Sequence, residues 1–286
     1  MFATRFAPSP TGRLHKGHAF SALTAWTAAK AAGGRFVLRI EDIDPTRCKP
    51  EFETAISEDL AWLGLDWEMP ARRQSDHLAD YAAVIENLNQ RGLLYRCFRT
   101  RKEILDAIGD APHGAMEAAR PGPHSPQEEA RLLHEGRAFA WRLSLNRARA
   151  ALGEDQWNSL SFIEEGEGPN GETGVVSARP DAAGDVVLAR KDTGVAYHLA
   201  VTHDDALQGI SHVIRGVDLF EATHVQRLIQ TLMGWPAPTY RHHRLITGPD
   251  GRRYAKRDQS LTLAELRAGG LTPQALRAEL GFSSGG

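Results

Sequence analysis

The chain has 286 residues, room for about two domains of ordinary size. With 42% hydrophobic and 24% charged residues it has the make-up of an ordinary globular protein, and no apolar run approaches the ~20 residues of a membrane span. A formal net charge of -2 gives no global field for nucleic acid, so such a partner would need a local basic patch; two cysteines, Cys48 and Cys97, cannot build a disulfide framework and fit a reducing cytoplasm. Met1-Phe2-Ala3-Thr4-Arg5 leads straight into a strand, and no secretory leader is expected.

The first hundred residues alternate strand and helix. Arg5 to Ala7 reads as a short strand, and Gly17 to Ala32 as a helix stopped by Gly33-Gly34. Phe36 to Ile40 is an apolar strand broken only by Arg39. Pro50 starts a helix with Glu51 and Glu53 in its first turn, running to Leu63 before Gly64. Ser75 is a good N-cap for the next helix, which carries Leu78, Tyr81, Val84, Ile85 and Leu88 at helical spacing. Strands separated by helices predict a parallel sheet with crossover connections. Ala111 to Pro126 is rich in proline and glycine and reads as a loop-rich insertion, and Gly166 to Gly184 reads as irregular. Strand and helix return at Val186-Val187-Leu188, Tyr197 to Leu207 and Ile210 to Arg215, and two short tail helices are expected at Leu261 to Ala268 and Pro273 to Leu280.

Two groups of residues carry chemistry. His15-Lys16-Gly17-His18 opens a helix just after the first strand. His15 and His18 are three apart and share a face, Gly17 lets a flat base approach, and the helix N-terminus favours phosphate. Arg5 suits a carboxylate, and Glu41, at the end of its strand, suits an ammonium at the carboxyl edge of a parallel sheet. On spacing alone, Arg215 reads better as a surface ion pair and Tyr197 as an amphipathic core residue.

Four blocks make these residues more specific. Arg5-Phe6-Ala7-Pro8-Ser9-Pro10-Thr11-Gly12, Arg39-Ile40-Glu41-Asp42-Ile43-Asp44, Ala196-Tyr197-His198-Leu199-Ala200-Val201 and Ile214-Arg215-Gly216-Val217-Asp218-Leu219 resemble the class I aminoacyl-tRNA synthetases of the glutamyl type. The resemblance covers Thr4 to about Arg257. It implies an α/β fold, a Rossmann-like parallel-sheet catalytic core with an inserted smaller domain. The expected divisions are 1–94 and 185–260 for the two halves of the core, 95–184 for an inserted acceptor-binding-like unit and 261–286 for a helical tail. By the same resemblance Arg5, Phe6, Ala7, Pro8, Ser9, Glu41, Tyr197 and Arg215 would contact L-glutamate. His15, Gly17, His18 and Lys256 would hold ATP with Mg2+, with His15, His18 and Lys256 stabilising the transition state.

Two departures from the family pattern stand out. The lysine loop reads Arg253-Tyr254-Ala255-Lys256-Arg257, which keeps positive charge but lacks a serine hydroxyl. Tyr95-Arg96-Cys97-Phe98-Arg99 keeps one cysteine of a zinc-binding pair, and with only His113 and His124 nearby zinc is expected to be absent. About thirty residues follow Lys256, fewer than the ~50 of a small domain. The RNA read is therefore expected to come to the cleft itself. This matches short members of the family that attach glutamate to queuosine in the anticodon of tRNA(Asp). Arg99, Arg101, Lys102 and the arginines around Lys256 are candidate RNA contacts. The alternatives are a truncated enzyme charging tRNA(Glu) and a non-catalytic glutamate- or nucleotide-binding regulator. A cytoplasmic monomer with no membrane partner is expected.

Overall fold

A computed structural model describes residues 1–100, 103, 121–192, 194–247 and 261–282. The chain opens with β1 (Ala3–Phe6), α1 (Lys16–Ala31) and β2 (Arg35–Ile40). β1 and β2 pair in parallel, with Arg5 beside Val37, so the connection through α1 is a crossover. α2 (Pro50–Trp62) begins with proline at its first position and has Glu51 and Glu53 in the first turn, where the helix dipole favours them. β3 (Glu68–Arg73) then adds to β2 in parallel, giving the order β1-β2-β3. The pattern Glu68-Met-Pro-Ala-Arg-Arg carries no strand signal; its half-exposed residues form a strand because β2 offers an edge.

After β3 a short 3-10 turn, Gln74–His77, leads into α3 (Leu78–Gln90). Ser75 does not cap this helix; the residue before α3 is His77, which makes no capping bond. Ser75 instead donates from its amide (2.8 Å) and its hydroxyl (2.6 Å) to the Asp42 carboxylate. A charged acceptor from a distant loop outcompetes a local cap.

β4 (Leu94–Cys97), α4 (Pro126–His134), β5 (Ala140–Leu143), α5 (Leu145–Leu152) and α6 (Glu154–Asn158) follow, then β6 (Ser161–Glu164), β7 (Gly174–Ser177) and β8 (Val187–Ala189). The stretch read as irregular therefore holds β7, which pairs antiparallel to β6, and a 3-10 turn at Pro180–Ala183. α7 (Tyr197–Leu207), β9 (His212–Gly216), α8 (Phe220–Met233) and β10 (Thr239–His243) complete the core, and α9 (Leu263–Ala268) and α10 (Pro273–Glu279) form the tail. β6, β10 and β9 run parallel in the order β7-β6-β10-β9, while β4, β5 and β8 make a separate antiparallel sheet. Within residues 95–184, β5 pairs with β8 and β6 with β10, both of which lie beyond that stretch.

The two parallel sheets meet at a seam between β1 and β9. The Ala3 amide donates to Ser211 Oγ (2.8 Å), and the Ser211 amide donates to the Ala3 carbonyl (3.0 Å). Chain connection reverses direction at this seam, the place where open α/β sheets bind ligands. Leu263, Leu276 and Leu280 of the tail share one core with Phe6, Leu14 and Leu23, so the tail helices buttress α1. No helix among the described residues is long and apolar enough to cross a membrane.

Candidate active site

A cleft of about 470 Å³ opens at the carboxyl ends of β1, β2 and β9. Arg5, Phe6, Ala7, Pro8 and Ser9 line it from β1 and the turn beyond, and His15, Gly17 and His18 from the start of α1. Glu41, Tyr197 and Arg215 line it from β2, α7 and β9. The structure therefore brings every expected site residue but Lys256 to one cavity. Lys256 lies outside the described residues, as do Arg101, Lys102 and His113. Leu245 and Ile246, before that segment, line the cleft, and Thr262, after it, pairs with His15.

The histidines owe their geometry to the helix start. His15 is the N-cap of α1; its Nδ1 accepts the Gly17 amide (3.1 Å), and His18 Nδ1 accepts the His15 amide (3.2 Å). A ring nitrogen that accepts an N–H carries no proton, so the ring proton sits on Nε2 in both residues. The rings pack 3.8 Å apart, centroid to centroid. Two N–H donors are thereby presented beside a helix N-terminus, an arrangement suited to phosphate oxygens.

Arg5 and Glu41, which line the cleft, belong to a buried charge network. Asp205 Oδ1 accepts from Arg5 Nε (3.0 Å) and from Arg39 Nη1 (2.8 Å), and Arg39 Nη2 donates to Glu41 Oε1 (3.2 Å). Asp204 takes Arg72 Nε, the Gln74 amide and the Tyr81 hydroxyl at 3.0, 2.9 and 2.8 Å. Burial opposes the Asp205 charge, but Arg5 and Arg39 outweigh it and hold the carboxyl below the usual range. For Glu41 burial wins over the pull of Arg39 and Arg5 and raises its pKa. A cationic ligand group beside Glu41 would relieve that penalty. Arg5 also gives Nη1 to the Ile214 carbonyl (3.4 Å).

Arg215 is 4% exposed, yet its partners are all neutral acceptors. Nε donates to His242 Nε2 (3.1 Å), Nη1 to Gln226 Oε1 (2.9 Å), and Nη2 to the Leu219 carbonyl (3.0 Å) and Thr223 Oγ1 (2.7 Å). Dipoles hold it in place, and no carboxylate among the described residues pairs with it. A buried cation without a counter-charge is costly, and an anion arriving in the cleft would supply one. Tyr197 stands at the first turn of α7; burial raises its pKa against the pull of Arg215 and Arg5, keeping the phenol neutral.

Sequence reasoning does not single out Asp205, Arg39, His242 or Glu164 as site residues. Arg39 interrupting an apolar strand and the Asp204-Asp205 pair within an otherwise apolar helical stretch are the available signals. Cys97 is buried on β4 beside Tyr95, and His124 packs against Phe98 (5.7 Å). Among the described residues no group of three or more His, Cys, Asp or Glu side chains assembles that could hold a metal ion.

Comparison with known proteins gives the family. Residues 1–283 match the family model described as tRNA synthetases class I (E and Q), catalytic domain. A glutamyl-Q tRNA(Asp) synthetase of Rhodobacter capsulatus is 44% identical, over 98% of this chain and 99% of its own length. A protein of the same description from Symbiobacterium thermophilum is 40% identical over 100% of this chain and 87% of its own length. The crystal structure of a glutamate tRNA ligase from Elizabethkingia meningosepticum, in complex with its amino acid, superposes with a TM-score of 0.77 at 28% identity, covering 98% of this chain. The present chain spans 60% of that longer protein. Parallel strands that deliver two arginines, a glutamate and a histidine-capped helix to one cleft, together with a match over almost the entire sequence, place this chain in the class I tRNA synthetase family of the glutamyl and glutaminyl type.

Proposed function

We propose that this protein uses ATP to activate L-glutamate as glutamyl-adenylate and transfers the glutamyl group to queuosine in the anticodon of tRNA(Asp). The observation that carries the first half is the cleft itself: Arg215, buried and short of a counter-ion, lines it together with Arg5 and Glu41, and His15 and His18 at the start of α1 line it too. The ligand that fits has two anionic ends and one cation, with a triphosphate beside it. Glutamate's α-carboxylate oxygen attacks the α-phosphorus of ATP, the bond to pyrophosphate breaks, and pyrophosphate leaves with the electron pair. Charge rises on the α-phosphate oxygens, where preorganised donors count most. Lys256, assigned from the sequence motif, adds positive charge there.

Among the described residues the cleft offers no group of three or more His, Cys, Asp or Glu side chains that could hold a metal ion. Magnesium would arrive on the triphosphate, which is how that ion commonly reaches phosphoryl-transfer sites. The second half of the reading is supported by two relatives described as glutamyl-Q tRNA(Asp) synthetases, which match over nearly the full length. A hydroxyl oxygen of the modified base attacks the glutamyl carbonyl, the anhydride C–O bond to phosphate breaks and AMP leaves with the electron pair as the hydroxyl proton is lost. The step needs mainly orientation, and an unstacked loop base can enter a cleft. The protein would act in the cytoplasm.

Two assays test this. Glutamate-dependent exchange of pyrophosphate into ATP should occur and glutamine should not support it. Labelled glutamate should then transfer to tRNA(Asp) containing queuosine and not to the same tRNA without it. Label on the terminal ribose of tRNA(Glu) would instead establish the second reading, a glutamate–tRNA ligase.

A further inference from the structure

Behind Arg215, on the side away from the cleft, runs a buried polar chain that the proposed chemistry does not use. Arg215 and His242 are directly paired residues of the parallel strands β9 and β10. Glu164 ends β6, on the other side of β10. All three side chains are buried. Glu164 Oε1 accepts the His242 amide (2.8 Å) and the Gly166 amide (2.8 Å), which leaves Oε2 facing His242 Nδ1 at 2.6 Å. On its far side His242 Nε2 receives the Arg215 Nε–H at 3.1 Å.

Only one proton arrangement satisfies this chain. Guanidinium nitrogens donate and never accept, so His242 Nε2 must present a lone pair to Arg215. The ring proton then belongs on Nδ1, where the ionised Glu164 accepts it. Burial and the neighbouring Arg215 both hold His242 neutral, against the pull of Glu164. A β-carbon on Gly166 would lie 2.2 Å from the His242 carbonyl and 2.9 Å from Glu164 Oε1, so the loop closes over the pair only with glycine there.

We propose that Glu164 and His242 are positioning residues that hold the Arg215 guanidinium in the orientation that receives the glutamate carboxylate. The buried carboxylate fixes the imidazole tautomer, the imidazole fixes Nε, and Thr223 and Gln226 fix the two Nη nitrogens. Neither Glu164 nor His242 touches the cleft, so neither contacts the ligand. The inference rests on the reading that Arg215 binds glutamate.

The test is pyrophosphate exchange on the full chain, with glutamate and ATP titrated separately. His242→Gln places an amide oxygen near the Nε2 position and keeps an acceptor for Arg215. His242→Asn keeps a polar group only near Nδ1 and loses that acceptor. Glu164→Gln turns an NH2 toward Nδ1 if its oxygen keeps the two backbone amides; the ring proton must then move to Nε2, where it opposes the Arg215 N–H. His242→Asn and Glu164→Gln should raise KM for glutamate about tenfold or more, with KM for ATP unchanged, and His242→Gln should stay within about threefold of the parent. Arg215→Ala is the control. If it leaves glutamate KM unchanged, the assignment of Arg215 itself fails. If it raises glutamate KM and the Glu164 and His242 variants do not, the positioning role is overturned. Equal losses in His242→Asn and His242→Gln, or a parallel rise in KM for ATP, would reduce the pair to core packing. So would loss of folding in both His242→Asn and Glu164→Gln, read by circular dichroism at the assay temperature.

Discussion

At the scale of single residues, the cleft is built from side chains that do two jobs through different atoms. His15 Nδ1 caps α1 while its Nε2 carries the donor hydrogen, so stability and chemistry separate in one substitution. His15→Asn retains an acceptor near the capping position and removes the donor. It should slow adenylate formation by about ten- to a hundredfold in kcat, the loss typical of one oxyanion donor, while the melting temperature stays within about 2 °C of the parent. A fall in melting temperature with intact kcat would reverse the assignment. Arg5 likewise divides itself between Asp205 and the cleft. Arg5→Ala should raise KM for glutamate by about one to two decades in exchange assays, the value of a charged hydrogen bond at ~1.5–3 kcal/mol. Unchanged glutamate kinetics in a folded Arg5→Ala protein would remove Arg5 from the ligand set.

At the scale of elements, the interface of α2 with the tail contains an ionisable group that the fold does not favour as an anion. Asp59 on α2 has a side chain only 1% exposed; Arg267 of α9 lies 3.9 Å from Oδ1, and Oδ2 has no hydrogen-bond partner. Burial pushes its pKa up to about 6, with Arg267 and Arg13 pulling the other way. The folded pKa lies above the unfolded value near 3.9, so the fold favours the protonated carboxyl. That favourable contribution is complete below about pH 4 and is lost as pH rises through about 6. Asp59→Asn mimics the neutral form. It should stabilise the protein at pH 8 by about 1–2 kcal/mol, less than two pKa units would carry because solvent and Arg267 screen the charge, and should give no gain at pH 4. Urea unfolding at the two pH values checks this; an equal effect at both would show that Asp59 is not a source of pH dependence.

At the scale of the whole molecule, the site depends on two parallel sheets meeting in register. Arg5 stands on β1 and Arg215 on β9, and the seam between them is held by the Ala3–Ser211 hydrogen bonds and by the stacking of Phe2 on His212 at 4.1 Å. Ser211→Ala leaves the buried Ala3 amide without its acceptor. It should lower stability by about 1–3 kcal/mol, measured as a shift of the urea midpoint without a change in slope. A neutral result would mean that the Ser211 hydroxyl adds nothing to a seam already held by packing and by the Ser211 amide–Ala3 carbonyl bond. The tail contributes at the same scale: the Leu263 amide donates to the Leu14 carbonyl (2.9 Å), and Lys16 pairs with Glu279, so the chain beyond the lysine segment returns to the histidine turn.

Much of this was legible in the order of residues. Strand, histidine turn and helix are adjacent in sequence, and the crossover from β1 through α1 to β2 follows from apolar runs and glycine stops within forty residues. The chemistry that Arg5, His15, His18, Glu41 and Arg215 can perform is set by their side chains alone, and the four motif blocks placed them in one family. What the tertiary structure decided is how each charge is compensated. Asp205 reaches Arg5 from 200 positions away, Glu164 reaches His242 across 78, and Asp42 captures Ser75 from 33. β3 exists only because β2 presents an edge for it. Hydrogen-bond partners in a buried site are chosen by proximity after folding, and proximity between distant segments leaves no periodic trace in the sequence.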